Sequence, residues 1–221
     1  MAREKLISTG KCSFCGGIFD KAAMTRHLKT CKQRPKPPEG KGPKKLPFHL
    51  LVEGRHQPEY WIHIEAPADA TLDTLDGFLR DIWLECCGHM SEFEIDGTRY
   101  AVEPMDLDDE PMGVKLRDVL SPGMKFLHAY DFGSTTHLKL KVVSEDESGL
   151  AGKKIRLLAR NEPPVIPCGR CGKPATQVCS QCVYSAEGWL CDKCAAKHEC
   201  GEDMLLPVVN SPRTGVCGYT G

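Results

Sequence analysis

No stretch of this sequence approaches the roughly 20 consecutive apolar residues that a helix needs to cross a bilayer. The opening residues, MAREKLISTGKC, lack the apolar centre of a secretory signal. Both absences point to a reducing compartment, and the expected location is the cytoplasm. Net charge is also nearly absent, at −1. The near-zero total conceals a split. Residues 1–45 carry twelve Lys/Arg against three Asp/Glu, residues 46–160 carry twelve against twenty-one, and residues 161–221 are close to neutral. A basic arm on an acidic body implies contact with a polyanion or an attraction between the two parts.

Cysteine is scarce only in the middle. Of thirteen, three lie at Cys12, Cys15 and Cys31, two at Cys86 and Cys87, and eight after residue 167. In a reducing compartment, Cys-x-x-Cys spacing with nearby His indicates metal rather than disulfides. The clustering predicts metal modules at both ends of a nearly Cys-free body.

Residues 11–31 read KCSFCGGIFDKAAMTRHLKTC. A knuckle with a Gly16-Gly17 turn leads into a helix that presents His27 and Cys31 one turn apart, so Cys12, Cys15, His27 and Cys31 can meet at one ion. Phe19 and Met24 are placed to fill the small core. The pattern resembles a C2H2-type zinc finger with Cys as its last ligand, a C2HC finger over residues 1–32. Its helix carries Lys21, Arg26, Lys29 and Lys32, expected to contact nucleic-acid phosphates in a salt-dependent way; Arg34, Lys36, Lys41, Lys44 and Lys45 follow. The competing reading is a protein-contact or structural module, since one finger covers only about three base pairs. Residues 33–45, rich in Pro and Lys, read as an extended linker.

Residues 46–160 alternate as strands at 47–54 and 60–67. A helix then opens after Asp69 or Thr71, with Leu72, Leu75, Leu79, Ile82 and Trp83 at helical spacing up to Gly88. Strands at 93–95 and 100–102 flank Asp96-Gly97, a hairpin signal. An acidic loop (105–113) and a short turn of helix (114–120) precede strands at 125–133, 137–145 and 153–160. The predicted class is α+β, in a β-grasp-like arrangement with one main helix.

The residues Tyr60-Trp61-Ile62-His63-Ile64, the Leu72/Leu75 helix, His89-Met90-Ser91-Glu92-Phe93, Val114-Lys115-Leu116, and Tyr130-Asp131-Phe132-Gly133 with His137 fall in one order. That order resembles the Ri-plasmid ORF-three-like family, also met on transposon passenger proteins, whose motifs run W-R-x-I, H-L-x-x-F and Y-D-F-G-D-x-W-x-H. Three positions depart from it: His63 replaces a usual Arg, Ser134 a usual Asp and Thr136 a usual Trp. The resemblance implies a fold more than an activity. A hydrolase-like enzyme using His89, Asp131 and His137 is the alternative reading. Cys86 and Cys87 beside His89 suggest a further metal site, but adjacent cysteines at a helix end are read here as buried small residues.

After a second linker, 161–167, residues 168–200 read CGRCGKPATQVCSQCVYSAEGWLCDKCAAKHEC. Three Cys-x-x-Cys knuckles and a His-x-Cys supply ligands for two tetrahedral sites. A sequential pairing would fill the sites in chain order. The favoured interleaved pairing sets Cys168, Cys171, Cys191 and Cys194 on one ion and Cys179, Cys182, His198 and Cys200 on the other. MYND, AN1 and B-box modules look similar, though none fits fully. Cys217 is a possible substitute for Cys200. Val183, Tyr184 and Trp189 offer an apolar surface to a peptide or pack between the ions. Met204–Val209, in the tail of the 168–221 module, is expected either to cover a sheet edge or to serve a partner.

The sequence thus predicts a non-enzymatic, three-zinc macromolecular binding protein. Nucleic acid is the expected partner of residues 1–45, with a protein or peptide partner possible at 168–221, no membrane partner, and a possible link to mobile elements. A protein–protein adaptor with purely structural zinc is the rival.

Overall fold

The computed structural model describes residues 8–35, 46–145 and 154–221. Most of the 33–45 linker, with Lys36, Lys41, Lys44 and Lys45, lies outside the described residues, as does Lys153.

The chain builds strands β1 (Thr9–Cys12) and β2 (Ile18–Asp20), helix α1 (Lys21–Thr30), and strands β3 (Phe48–Gly54) and β4 (Trp61–Ala66). Helix α2 (Leu72–Leu79) runs into one wider π turn (Arg80–Leu84). Strands β5 (Ser91–Ile95), β6 (Thr98–Ala101) and β7 (Asp109–Pro111), helix α3 (Leu116–Val119), and strands β8 (Lys125–Tyr130), β9 (Thr136–Glu145) and β10 (Arg156–Asn161) follow. The C-terminal part adds β11 (Gln177–Cys179), β12 (Trp189–Leu190), helix α4 (Asp192–Ala195) and β13 (Leu205–Pro207). The class is α+β and dominated by sheet.

The large sheet has the order β2-β1-β10-β4-β3-β9-β8-β5-β6-β7. Its pairs are antiparallel except β6 with β7. The predicted hairpin forms at Asp96-Gly97, both with positive φ (49° and 84°), as a two-residue primed turn requires. Thr71, rather than Asp69, caps α2 by accepting from the Thr74 amide.

Alternation along β3 and β4 explains how both faces of the sheet are used. Phe48, Leu50, Val52, Ile62 and Ile64 point to the main core, where Leu72, Leu75, Leu79 and Trp83 of the helical segment cover them. Leu51 and Trp61 point the other way and meet Met24 and Leu28 of α1, with Leu158 and Ala159 of β10. Strand β4 is therefore buried along its whole length. Gly10 allows β1 to cross Trp61, because a Cβ there would lie 2.4 Å from the indole.

The finger is thus continuous with the body: β1 pairs with β10 through Gly10–Asn161, Lys11–Arg160 and Cys12–Ala159. At the other end, Leu205–Pro207 pairs with β11 inside a second, three-stranded sheet, β12-β11-β13. The apolar stretch of the tail completes that small sheet and does not cover the edge of the large one.

Among the described residues, no helix is long and apolar enough to cross a membrane.

Candidate metal centres

In the finger, Asp20 caps α1 by accepting from the Ala23 amide at 2.8 Å, and the helix presents His27 and Cys31 to the knuckle. The ligand atoms of Cys12, Cys15, His27 and Cys31 lie within 4.8 Å of one another. Cys15 Sγ is 3.2 Å from His27 Nε2, and the His27 ring stacks on Phe19 at 4.2 Å between centroids. In the C-terminal part, the groups that form are Cys168, Cys171, Cys191, Cys194 and Cys179, Cys182, His198, Cys200. This is the interleaved pairing. The turn that carries the first knuckle is tied to β12, just before the third, by the Gly169 amide donating to the Trp189 carbonyl at 2.8 Å.

The geometry suits a tetrahedral cation with soft ligands. Zinc with bonds of about 2.3 Å to sulfur sets the edges of its tetrahedron at about 3.8 Å. Cys171 and Cys191 stand 3.6 Å apart at sulfur, and Cys182 and Cys200 stand 3.7 Å apart. These separations are far beyond the roughly 2.05 Å of a disulfide. Both ring nitrogens of His198 are buried with no hydrogen-bond partner among the described residues, which a metal bond to one of them would relieve.

The thiols within each group pull one another apart in acidity. Burial works against ionising Cys168, but the amides of Cys191, Arg170 and Cys171 outweigh it and bring the thiol down to about 6. Cys194 is pushed up to about 12, first by its contact with Cys171 and then by burial. Cys182 is pushed up to about 11, first by Cys200 and then by burial. Several thiolates in one small volume repel, and a divalent cation removes that repulsion.

The basic residues of the finger divide. Arg26, Lys29 and Lys32 are exposed. Lys21, expected among the phosphate contacts, instead pairs with Glu53 and donates to the Pro58 carbonyl. Arg34 similarly binds Glu65 at 3.0 Å. The sheet face beneath the finger holds a buried pair, His49 Nε2 to His63 Nδ1 at 2.8 Å, and Thr25 Oγ1 of α1 reaches His63 Nε2 at 3.4 Å. Burial is the main cause that lowers both imidazoles to about 3, helped by Arg34 and Lys29 at His49 and by His49 at His63. The His in place of a family Arg at position 63 is therefore a neutral side chain under α1.

His89, Asp131 and His137 do not form one group. His89 Nε2 approaches Asp131 Oδ2 at 3.6 Å, while His137 stacks edge-on with His56 at 5.8 Å between centroids. Asp131 is already engaged: its Oδ1 accepts from the amides of Gly133 and Ser134, and its Oδ2 accepts from Arg213 at 2.7 Å. Burial opposes its ionisation, yet Arg213 and those amides hold the carboxyl below its usual range.

Arg213 carries no mark in the sequence as a site residue. It is fully buried, lies over the Tyr130 ring at 4.8 Å, and donates to the Ser134 carbonyl and to Thr136 Oγ1. The Tyr130-Asp131 motif thus grips the C-terminal segment, and Ser134 and Thr136, the two departures from the family pattern in that loop, are contacts of the same guanidinium. Asn210 and Ser211 extend the dock: Trp83 Nε1 donates to the Asn210 carbonyl, and Ser211 Oγ donates to the Trp83 carbonyl. Cys217, a possible substitute for Cys200 by spacing, instead lies 3.9 Å from Cys87 at sulfur.

Among solved structures, a protein of unknown function from Methanosarcina mazei Go1 is similar at 21% identity over 50% of this chain and 61% of its own, with a TM-score of 0.40. This chain thus spans about three fifths of that protein's length. A search of curated proteins finds no match. The family model described as plasmid pRiA4b ORF-3-like protein matches residues 48–165, more than half of the chain. These residues hold the central strands, α2 and the Tyr130-Asp131 loop, and the chain belongs to the plasmid pRiA4b ORF-3-like family.

Proposed function

We propose that this protein is a zinc-stabilised, non-enzymatic macromolecular binding protein whose finger helix meets nucleic acid. Three zinc ions hold its two ends in shape, one at Cys12, Cys15, His27 and Cys31 and two in the interleaved C-terminal groups. Each site has four protein ligands, which leaves no open position for a substrate and suits structural metal. A reducing compartment such as the cytoplasm suits these thiolate ligands.

The observation that carries the nucleic-acid reading is the orientation of α1. Its apolar side, Met24 and Leu28, is docked on the sheet, and Arg26, Lys29 and Lys32 remain exposed with no ion pair among the described residues. Such a face neutralises phosphates and releases counterions. The link to mobile elements rests on the family's plasmid origin alone, by analogy. The β-grasp-like description of the body is supported by the single longer helix, α2, packed on one face of the sheet.

The test is binding of the zinc-loaded full chain to random-sequence duplex DNA across a salt series. Affinity is expected to fall as salt rises. Substitution of Arg26, Lys29 and Lys32 by Ala is expected to flatten the slope by about one unit for each phosphate that is no longer neutralised. Salt-independent or absent binding would remove the nucleic-acid reading.

A second reading, the protein adaptor, is favoured by one feature. A groove of about 720 Å³ runs between the body and the C-terminal module, lined by His56, His137, Tyr184, Trp189, Pro212 and Val216 among others. Tyr184 stands 83% exposed at its rim, while Trp189 is buried in the module. A peptide that binds there would protect this groove, and not α1, from hydrogen exchange.

A further inference from the structure

The turn that follows the π segment and the last turn of the tail bring four more ligand atoms together. Cys86, Cys87, His89 and Cys217 place three sulfurs and an imidazole nitrogen within 4.8 Å of one another. Cys86 and Cys87 are 3.7 Å apart at sulfur, Cys87 Sγ is 3.0 Å from His89 Nε2, and His89 Nε2 is 3.2 Å from Cys217 Sγ. These are the edges of a tetrahedron around a zinc-sized ion, about 3.8 Å between sulfurs and slightly less from sulfur to nitrogen. They are much too long for disulfides.

The backbone is bent to achieve this. Successive side chains of an extended chain point to opposite faces, so neighbouring cysteines converge only where the chain turns. Here α2 widens into its π turn at Arg80–Leu84, and Gly88 takes a φ of 80°. Glu85 holds the loop by accepting from the Gly88 amide and from Tyr130 Oη. On the opposite side, Gly215, Cys217 and Gly218 all have positive φ (81°, 50° and 69°). Cys217 has no glycine's freedom there, and a side chain held in that region is strained. Bonding of its sulfur would offset that strain.

A cation that Asp131 shares also faces the site. Three thiolates around a divalent cation leave one net negative charge. Arg213 Nη2 donates to Cys86 Sγ at 3.3 Å and sets a positive charge beside them, while its other contacts anchor it to Asp131.

We propose that Cys86, Cys87, His89 and Cys217 form a fourth zinc site, which pins the C-terminal tail to the end of the α2 segment beside the Tyr130-Asp131 loop. Binding replaces the thiol protons, so each ion taken up releases up to three protons to solvent. With four protein ligands the site is closed and structural, like the other three groups. It differs from them in joining segments 130 residues apart, the family domain and the tail beyond it.

The test is the metal count of the full-length protein, purified with excess Zn2+ and weighed intact by native mass spectrometry, for wild type, Cys217→Ser and Cys87→Ser. The two variants remove ligands from opposite sides of the site, so a folding defect peculiar to either one does not decide the result. The expected result is one zinc fewer in each variant than in wild type, whatever the wild-type total. An equal count in wild type and both variants overturns the fourth site. So does a wild-type mass two units below the reduced chain, abolished in Cys87→Ser, because it marks a disulfide at Cys87. A wild-type total of three that does not change in the variants removes this site and leaves the three-zinc reading standing. A drop of one from a wild-type total below four supports this site and counts against one of the other three.

Discussion

Helix α1 of the finger buries Met24 and Leu28 against Trp61, Leu158 and Ala159 of the large sheet. Among the described residues, the apolar clusters at the ligands of the C-terminal module include no residue of the large sheet. These clusters are small, one around Ile166, Val178, Val183 and Trp189 and another around Leu190 and Ala195. Both ends present closely spaced Cys and His, but the finger borrows the core of its neighbour and the C-terminal module depends on its crossed ligands. A segment too small to bury enough apolar surface needs another source of cohesion.

The strongest test of that contrast removes one ligand from each end. Cys191→Ser is expected to lose the order of residues 168–207, seen as rapid proteolysis within that segment while the large sheet stays resistant. Cys15→Ser is expected to lose one zinc and keep α1 docked, with Met24 still protected from hydrogen exchange. Equal collapse at both ends would erase the distinction.

Arg213→Ala comes next. It leaves Asp131 buried without its partner, and breaking one side of a buried pair costs about 3–5 kcal/mol. The expected readout is a lower melting temperature together with new cleavage in the tail. Leu28→Ala addresses the other dock and is expected to cost about 2–5 kcal/mol by cavity formation, measured by urea unfolding. If that variant were neutral, the finger would be attached by its strand pairing and polar contacts alone.

The pH dependence is smaller and specific to the finger side. His49 and His63 are held at about 3 when folded, against about 6.5 when unfolded. The unfolded chain therefore takes up protons first as the pH falls. The stability of the neutral pair is fully present above about 6.5 and is lost progressively between about 6.5 and about 3. Acid also releases metal, so the measurement is a difference: melting temperatures at about pH 7 and about pH 5, for wild type against a His49→Gln/His63→Gln variant. The variant is expected to lose less on acidification.

The smallest effect concerns Lys21. Because it pairs with Glu53, Lys21→Ala is expected to change DNA affinity less than Lys29→Ala does, measured side by side at one salt concentration. A larger effect of Lys21 would mean that the ion pair opens when nucleic acid binds.

Most strands of the body, the Asp96-Gly97 hairpin and the Thr71 cap are legible in the sequence because each is written in local periodicity or turn chemistry, whereas β7, Asp109–Pro111, reads there as acidic loop. The ligand residues of the finger and of the two interleaved groups are legible for the same reason, since Cys-x-x-Cys and His-x3-Cys are short-range patterns, whereas Cys86 and Cys87 read there as buried small residues and Cys87 is exposed. The spacing closes either pairing, and the interleaved one is favoured because crossed ligands lock a segment with almost no apolar core into one unit. The π turn leaves no such mark, since one extra residue within a helical pattern changes no spacing that periodicity can detect before the helix ends.

What the sequence determined by itself is therefore the set of local elements, the family of the central domain and the ligands that lie within one helix turn or one knuckle of each other. The tertiary structure alone decided which distant residues share a volume. It joined β1 to β10 and turned Trp61 and His63 toward the finger. It also set Arg213 against Asp131 and carried Cys217 to Cys86, Cys87 and His89. Each of these contacts joins segments far apart in the chain, and pairing at such separation is fixed by how whole faces pack, a property that no local spacing encodes.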